Sequence, residues 1–123
     1  SRLISTLSDG EKQWVMFARA LIQNPQVLIL DESFSKLDLD RLLQAVKIIQ
    51  RHTENGMTVV IASHDLNFLS EVSDQLILMK NGKMLHFGEV REVLTPFYLE
   101  QLYPNLPLQV VRSPNSGKEK VIY

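Results

Sequence analysis

The chain has no cysteine, which excludes a disulfide scaffold and a thiolate metal site and fits a reducing compartment. Long hydrophobic runs are also missing. Val27–Leu30, Val59–Ala62 and Leu76–Met79 are each about a strand long, whereas a membrane helix needs about twenty apolar residues in succession. No basic segment leads into an apolar stretch at the N-terminus, so the signal-peptide pattern is absent. Nor is there an excess of charge of one sign. Thirteen Lys and Arg stand against fourteen Asp and Glu, which gives no broad electrostatic case for DNA, RNA or an anionic membrane surface. The chain opens at Ser1-Arg2-Leu3 without a Met, which leaves a truncated product, a cleaved product and a partial gene all open. It carries no internal repeat and no low-complexity tract. What remains is 123 residues, 45% apolar and 22% charged, the profile of a soluble globular domain with a core.

Two periodicities alternate along it, which predicts an α/β layer architecture. Ser8 to Gln23 reads as a helix: Ser8 is the N-cap, Glu11 completes an S-x-x-E capping box, and Asn24-Pro25 ends it. Val27–Leu30 reads as a strand buried on both faces. Asp38 to about His52 predicts a second helix with Leu39, Leu42, Leu43, Val46 and Ile49 on its apolar face, stopped by Asn55-Gly56. Thr58–Ala62 is expected to be another buried strand, and Leu66–Val72 a short helix with Asp65 at its positive end. Leu76–Met79 and Met84–Phe87 flank an Asn81-Gly82 hairpin signal. Two short helices follow, Glu89–Leu94 and Pro96–Leu102, and Leu108–Val111 with Lys120–Tyr123 suggests a terminal hairpin. The β-α-β-α-β order predicts a mostly parallel sheet with an antiparallel extension.

Chemistry concentrates at the ends of the strands. Val27-Leu28-Ile29-Leu30-Asp31-Glu32 places two carboxylates at the C-terminal edge of a sheet, where open α/β folds bind ligands. The first can hold Mg²⁺ through its water shell, and the second can orient or deprotonate a water. Taken alone, the same pattern is a strand ending in a solvated acidic turn. Leu7-Ser8-Asp9-Gly10-Glu11 combines a hydroxyl, a glycine N–H and a helix N-terminus, which together suit a phosphate, but it reads equally as an ordinary capped helix start. His64, two residues after a strand, can donate to a phosphate oxygen or be simply exposed. Ser35-Lys36-Leu37-Asp38 also reads as the N-cap of the next helix.

The order of these elements resolves the ambiguity. Leu-Ser-x-Gly, Ala18-Arg19-Ala20-Leu21, Asn24-Pro25, the apolar strand with Asp31-Glu32, Ser-x-Leu-Asp and Ser63-His64-Asp65 resemble the C-terminal half of an ATP-binding-cassette (ABC) ATPase, over about Leu3 to Leu102. The resemblance implies a partial P-loop NTPase fold lacking its N-terminal half. It assigns residues 1–104 to the cassette and 105–123 to a tail. In that family two ATPase domains sandwich two MgATP molecules, each held between the phosphate loop of one subunit and the signature motif of the other. Carried over, Ser8 and Gly10 contact the γ-phosphate of a partner's ATP, and Asp38 lies on the loop that communicates across the dimer. Asp31 serves Mg²⁺, Glu32 is the catalytic carboxylate, and His64 contacts the γ-phosphate in its own subunit.

The departures from the family pattern are specific. Leu-Ser-Gly-Gly-Gln is here Leu7-Ser8-Asp9-Gly10-Glu11, and two carboxylates near a γ-phosphate repel it unless both point away. The capping box gives Glu11 a reason to fold back on its own helix. Ser33 replaces the common Pro after the catalytic Glu, which frees φ at that turn. The sequence contains no G-x-x-x-x-G-K-[ST]; Gly82-Lys83 and Gly117-Lys118 both lack the earlier glycine and the following hydroxyl residue. The chain alone is therefore expected to bind ATP weakly or not at all.

Leu-Ser-Asp-Gly-Glu and Phe34-Ser35-Lys36-Leu37-Asp38-Leu39 resemble the importers of iron chelates, haem and cobalamin. This implies an ATP-hydrolysing subunit at the cytoplasmic face of the cell membrane, paired with a second ATPase and with separate permease subunits, and no nucleic-acid partner. A soluble ABC ATPase of DNA maintenance or translation, and a non-catalytic truncated interaction module, are the rival readings. The absence of coiled-coil heptads and of a basic stripe weighs against the DNA-maintenance class.

Overall fold

The computed structural model describes residues 6–122, so the expectations that touch Leu3 and Tyr123 lie outside the described residues. Two compact units divide the chain, the first ending at His64 and the second beginning at Asp65. The first carries helix α1 (Asp9–Ile22), strand β1 (Val27–Asp31), helix α2 (Leu39–Glu54) and strand β2 (Thr58–Ala62). In the second are α3 (Leu66–Val72), β3 (Gln75–Lys80), β4 (Lys83–Glu89), α4 (Val90–Val93), α5 (Pro96–Leu102), β5 (Gln109–Arg112) and β6 (Glu119–Ile122).

In the first unit the capping box forms as expected. Glu11 N–H donates to Ser8 Oγ and Ser8 N–H donates to Glu11 Oε1, each at 3.1 Å, so two helix-end donors are satisfied reciprocally. Asn24, with φ 50°, turns the chain out of α1 in the left-handed conformation that Asn tolerates better than most residues. β1 and β2 pair in parallel from Val27↔Thr58 to Asp31↔Ala62. Leu28 and Leu30 are buried, but Val27 and Ile29 are 56% and 72% exposed and Val60 is 52% exposed. This corrects the expectation of strands buried on both faces. Apolarity on both sides shows that both suit burial, and only one side of this ladder is covered among the described residues.

The apolar face of α2 also differs from expectation. Ala45, Val46 and Ile49 are buried, whereas Leu39 and Leu43 are exposed. The buried stripe is rotated towards Ala45, whose small side chain lets the helix lie close and which is 0% exposed. A reading weighted by side-chain size overlooks it.

In the second unit β3 and β4 form the expected hairpin. Asn81 and Gly82 both take positive φ, 52° and 76°, as a two-residue type I′ turn requires. The pairing runs Leu78↔His86 and then Met79↔Met84, so Leu85 is an extra residue that bulges from β4. The helical turn expected over Glu89–Leu94 is shorter, Val90–Val93. Leu76, Leu78, Val90, Val93, Leu94, Leu99 and Val121 form the core of this unit. Among the described residues the strands make three two-stranded ladders, one parallel and two antiparallel, where the sequence suggests one larger sheet.

The terminal hairpin β5–β6 is not a loose tail. Asn67 Nδ2 donates to the Val121 carbonyl at 3.2 Å, and Val121 N–H donates to Asn67 Oδ1 at 2.7 Å. Ser70 Oγ donates to the Glu119 carbonyl, and Lys120 Nζ lies 3.1 Å from Glu71 Oε1. Burial pushes the Glu71 carboxyl upwards. Hydrogen bonds from Ser116 and Lys120 and the charges of Lys120 and Lys118 outweigh that effect and hold its pKa below the ordinary value.

A depressed carboxyl pKa stabilises the folded state above the unfolded-state pKa, and that contribution is lost as pH falls through the folded one. Hairpin docking is thus expected to loosen at acid pH, below the ordinary carboxylate range. Amide hydrogen exchange at Val121 measures this. In a Glu71→Gln variant the pH dependence of Val121 exchange, beyond its intrinsic trend, should flatten.

Candidate functional site

The β1–β2 ladder sets the site. Asp31 is the last residue of β1, opposite Ala62, and is exposed at the C-terminal edge. Glu32 N–H continues the ladder by one bond, donating to the Ala62 carbonyl at 2.9 Å. Its φ of 51° is left-handed, a conformation that costs a non-glycine residue about 1–2 kcal/mol. Across the edge, His64 Nε2 stands 3.7 Å from Glu32 Oε1. The imidazole is 94% exposed, and an ion pair so exposed adds little to stability.

The other predicted site residues occupy two neighbouring segments of this unit. Ser8 caps α1, and its Oγ accepts from the Glu11 amide. Because Glu11 folds back on Ser8, its carboxylate is turned to its own helix end, as the capping box predicts. Asp38 caps α2, accepting from Arg41 N–H at 2.9 Å. Gly10 faces the loop that follows Glu32: a β-carbon there would stand 2.5 Å from the Lys36 carbonyl oxygen. Close packing against that loop therefore requires Gly10, whatever it contacts beyond.

One participant escapes the sequence reading. Gln13, on α1, donates from Nε2 to the Glu32 carbonyl at 3.2 Å and to Ser35 Oγ at 3.1 Å. Its Oε1 accepts from Lys36 N–H at 2.8 Å. A lone Gln in a helix carries no signal by type. The available clue is position: Gln13 lies three residues, nearly one turn, after Gly10, on the side of α1 that meets the loop. Phe17, a further turn along, packs edge-on against Phe34 at 5.0 Å between ring centroids.

No group of three or more acidic, His or Cys side chains that could hold a metal occurs among the described residues. A solitary exposed carboxylate such as Asp31 fits Mg²⁺, which keeps most of its waters and does not need an all-protein cage. For ATP the described residues offer an acidic strand edge, an imidazole and a capped helix start. The backbone cradle and lysine of a P-loop are not in the sequence.

An acidic parallel-strand edge, facing an imidazole just past the next strand and preceded by a signature-type helix start, is the arrangement expected from the resemblance to an ABC-type ATPase domain. Comparison with known proteins agrees. The ABC transporter family profile matches residues 1–35. A hemin import ATP-binding protein of Photobacterium damselae subsp. damselae is 40% identical over 119 residues, 93% of this chain and 44% of that protein. An iron(3+)-hydroxamate import ATP-binding protein of Bacillus subtilis is 35% identical over 118 residues, 95% of this chain and 44% of that protein. Among solved structures, a metal-chelate-type ABC transporter in an inward-facing conformation matches with a TM-score of 0.81 and 27% identity, covering 99% of this chain and 50% of that one. The chain is similar to ABC transporter ATP-binding proteins and spans about half the length of these relatives. No helix among the described residues is long and apolar enough to cross a membrane.

Gly10→Ala tests the packing between α1 and the loop. The added methyl must displace the backbone at Lys36, and overpacking of this kind costs about 1–3 kcal/mol. The urea unfolding midpoint should fall accordingly, whereas a midpoint equal to that of the parent sequence would show that the two segments are not in close contact.

Proposed function

We propose that the chain is part of the ATP-hydrolysing subunit of an ABC importer for an iron complex, working as a dimer with separate membrane permeases at the cytoplasmic face of the cell membrane. The approach of His64 to Glu32 beside Asp31 carries this reading, and the importer names of the relatives support its subclass. Residues 1–104 belong to the cassette and 105–123 to an appended hairpin.

In this reading Glu32 orients the attacking water and takes up its proton as the water adds in line to the γ-phosphorus, the bond to the bridging oxygen breaks and ADP leaves. His64 donates a hydrogen bond to a γ-phosphate oxygen and keeps the water and phosphate in register. Asp31 would hold Mg²⁺ through the water shell of the ion, which would supply charge neutralisation at the phosphates. Ser8 and Gly10 face the γ-phosphate of ATP held by the second subunit. Asp38 ends the loop that runs from Glu32 to α2, so a change at the dimer contact reaches the carboxylate through few bonds. The rest of the phosphate contacts fall to a P-loop supplied by the remainder of an intact cassette.

The test is Glu32→Gln in a protein that also carries a P-loop. The amide cannot take the proton, so hydrolysis should drop by about a hundredfold or more. ATP binding should persist, and ATP-bound dimers should accumulate on gel filtration. Undiminished turnover would remove Glu32 from the chemistry.

A further inference from the structure

We infer that Gln13 is a positioning residue for the Glu32 carboxylate, and that it ties the loop from Glu32 to Lys36 to the signature helix α1. The inference rests on the role proposed above for Glu32.

The backbone of Glu32 is held on both sides. Its N–H is fixed by the Ala62 carbonyl at 2.9 Å. Its carbonyl accepts from Gln13 Nε2 at 3.2 Å and from Ser35 Oγ at 3.3 Å. With both flanking peptide groups held, the direction of the Cα–Cβ bond is set, and the carboxylate reaches the edge where His64 stands at 3.7 Å. The left-handed φ of Glu32 needs such holding, because an unconstrained non-glycine residue leaves that region readily. Ser33 follows Glu32 and, unlike a proline, does not fix φ on the next residue. The lock on this turn therefore comes from Ser35 within it and from Ala62 and Gln13 outside it.

Gln13 is suited to that task because a carboxamide both donates and accepts. One side chain grips the loop at its start, at Glu32, and at its fourth following residue, through Lys36 N–H at 2.8 Å. The Nε2 bond to Ser35 Oγ closes the net, since the Ser35 hydroxyl donates onward to the same Glu32 carbonyl. Gly10, three residues before Gln13, lets α1 lie against Lys36 closely enough for these bonds. The helix that presents Ser8 and the loop that presents Glu32 are thereby one rigid piece. A displacement of α1 by nucleotide at Ser8 would move the Glu32 carbonyl with it.

Two variants separate the donor from the acceptor role. Gln13→Met keeps the approximate length and removes both. Gln13→Glu retains an acceptor for Lys36 N–H but loses the donor to Glu32 and Ser35. In the 123-residue chain, amide hydrogen exchange at Lys36 should quicken about tenfold or more in Gln13→Met and stay near the parent value in Gln13→Glu. In a protein that also carries a P-loop, both variants should lower kcat about tenfold or more while KM for MgATP stays within about twofold. Unchanged kcat in both, beside a Glu32→Gln variant that has lost hydrolysis, would overturn the role of Gln13 and leave that of Glu32 standing. A joint loss of kcat, ATP affinity and melting temperature would make Gln13 a packing residue only and also overturn the inference. Hydrolysis surviving in Glu32→Gln would bring down both readings.

Discussion

The site depends on a five-residue register. Because Val27 pairs with Thr58 and Asp31 with Ala62, both strands end at the same level, and the residues that follow them emerge side by side. The extra bond from Glu32 N–H to the Ala62 carbonyl carries the alignment past the strand proper. A slip of one residue would turn Asp31 to the opposite face of the ladder. It would also separate Glu32 from His64, which are 32 positions apart in sequence and meet only through this pairing. The apolar residues Leu28 and Leu30, buried on one side, hold the register.

Much of this was legible in the chain. The capping box at Ser8 and Glu11, the strand before Asp31-Glu32, the Asn81-Gly82 turn and the Asp65 cap are short-range features, fixed by residues within a few positions of one another. The long-range features were not. Gln13 meets the loop of Glu32 across about twenty residues of sequence, and its side chain has no chemical peculiarity to announce the contact. Likewise Ala45 is invisible to a reading that ranks residues by size, yet it is the most buried residue of α2. The exposed face of Val27, Ile29 and Val60 shows the converse limit. A pattern states what a surface is fit for, and other parts of the molecule decide whether it is covered.

The division of labour at the strand edge is chemically coherent. Ser8, Asp38 and Asp65 each satisfy a helix N-terminus, so structural and functional uses of the same residue types sit within a few residues of each other. Glu32 and His64 are different: the imidazole is exposed, the carboxylate half-buried, and their mutual contact adds little to the fold. In the role proposed above, freedom from structural duty suits a carboxylate and an imidazole that act on water and phosphate. The structural cost is placed instead on the backbone of Glu32 and on the groups that hold it.

The docking of the terminal hairpin has a consequence for how this part of the chain can vary. Asn67 engages both main-chain groups of Val121, as a neighbouring strand would, and Ser70 takes the main-chain carbonyl of Glu119. These contacts read backbone rather than side chains. Apart from the Lys120–Glu71 pair and the apolar side chain at 121, β6 is recognised by its shape. Side chains at 119 and 122 can therefore change while the hairpin keeps its seat, provided α3 retains an amide at 67 and β6 places no proline at 121.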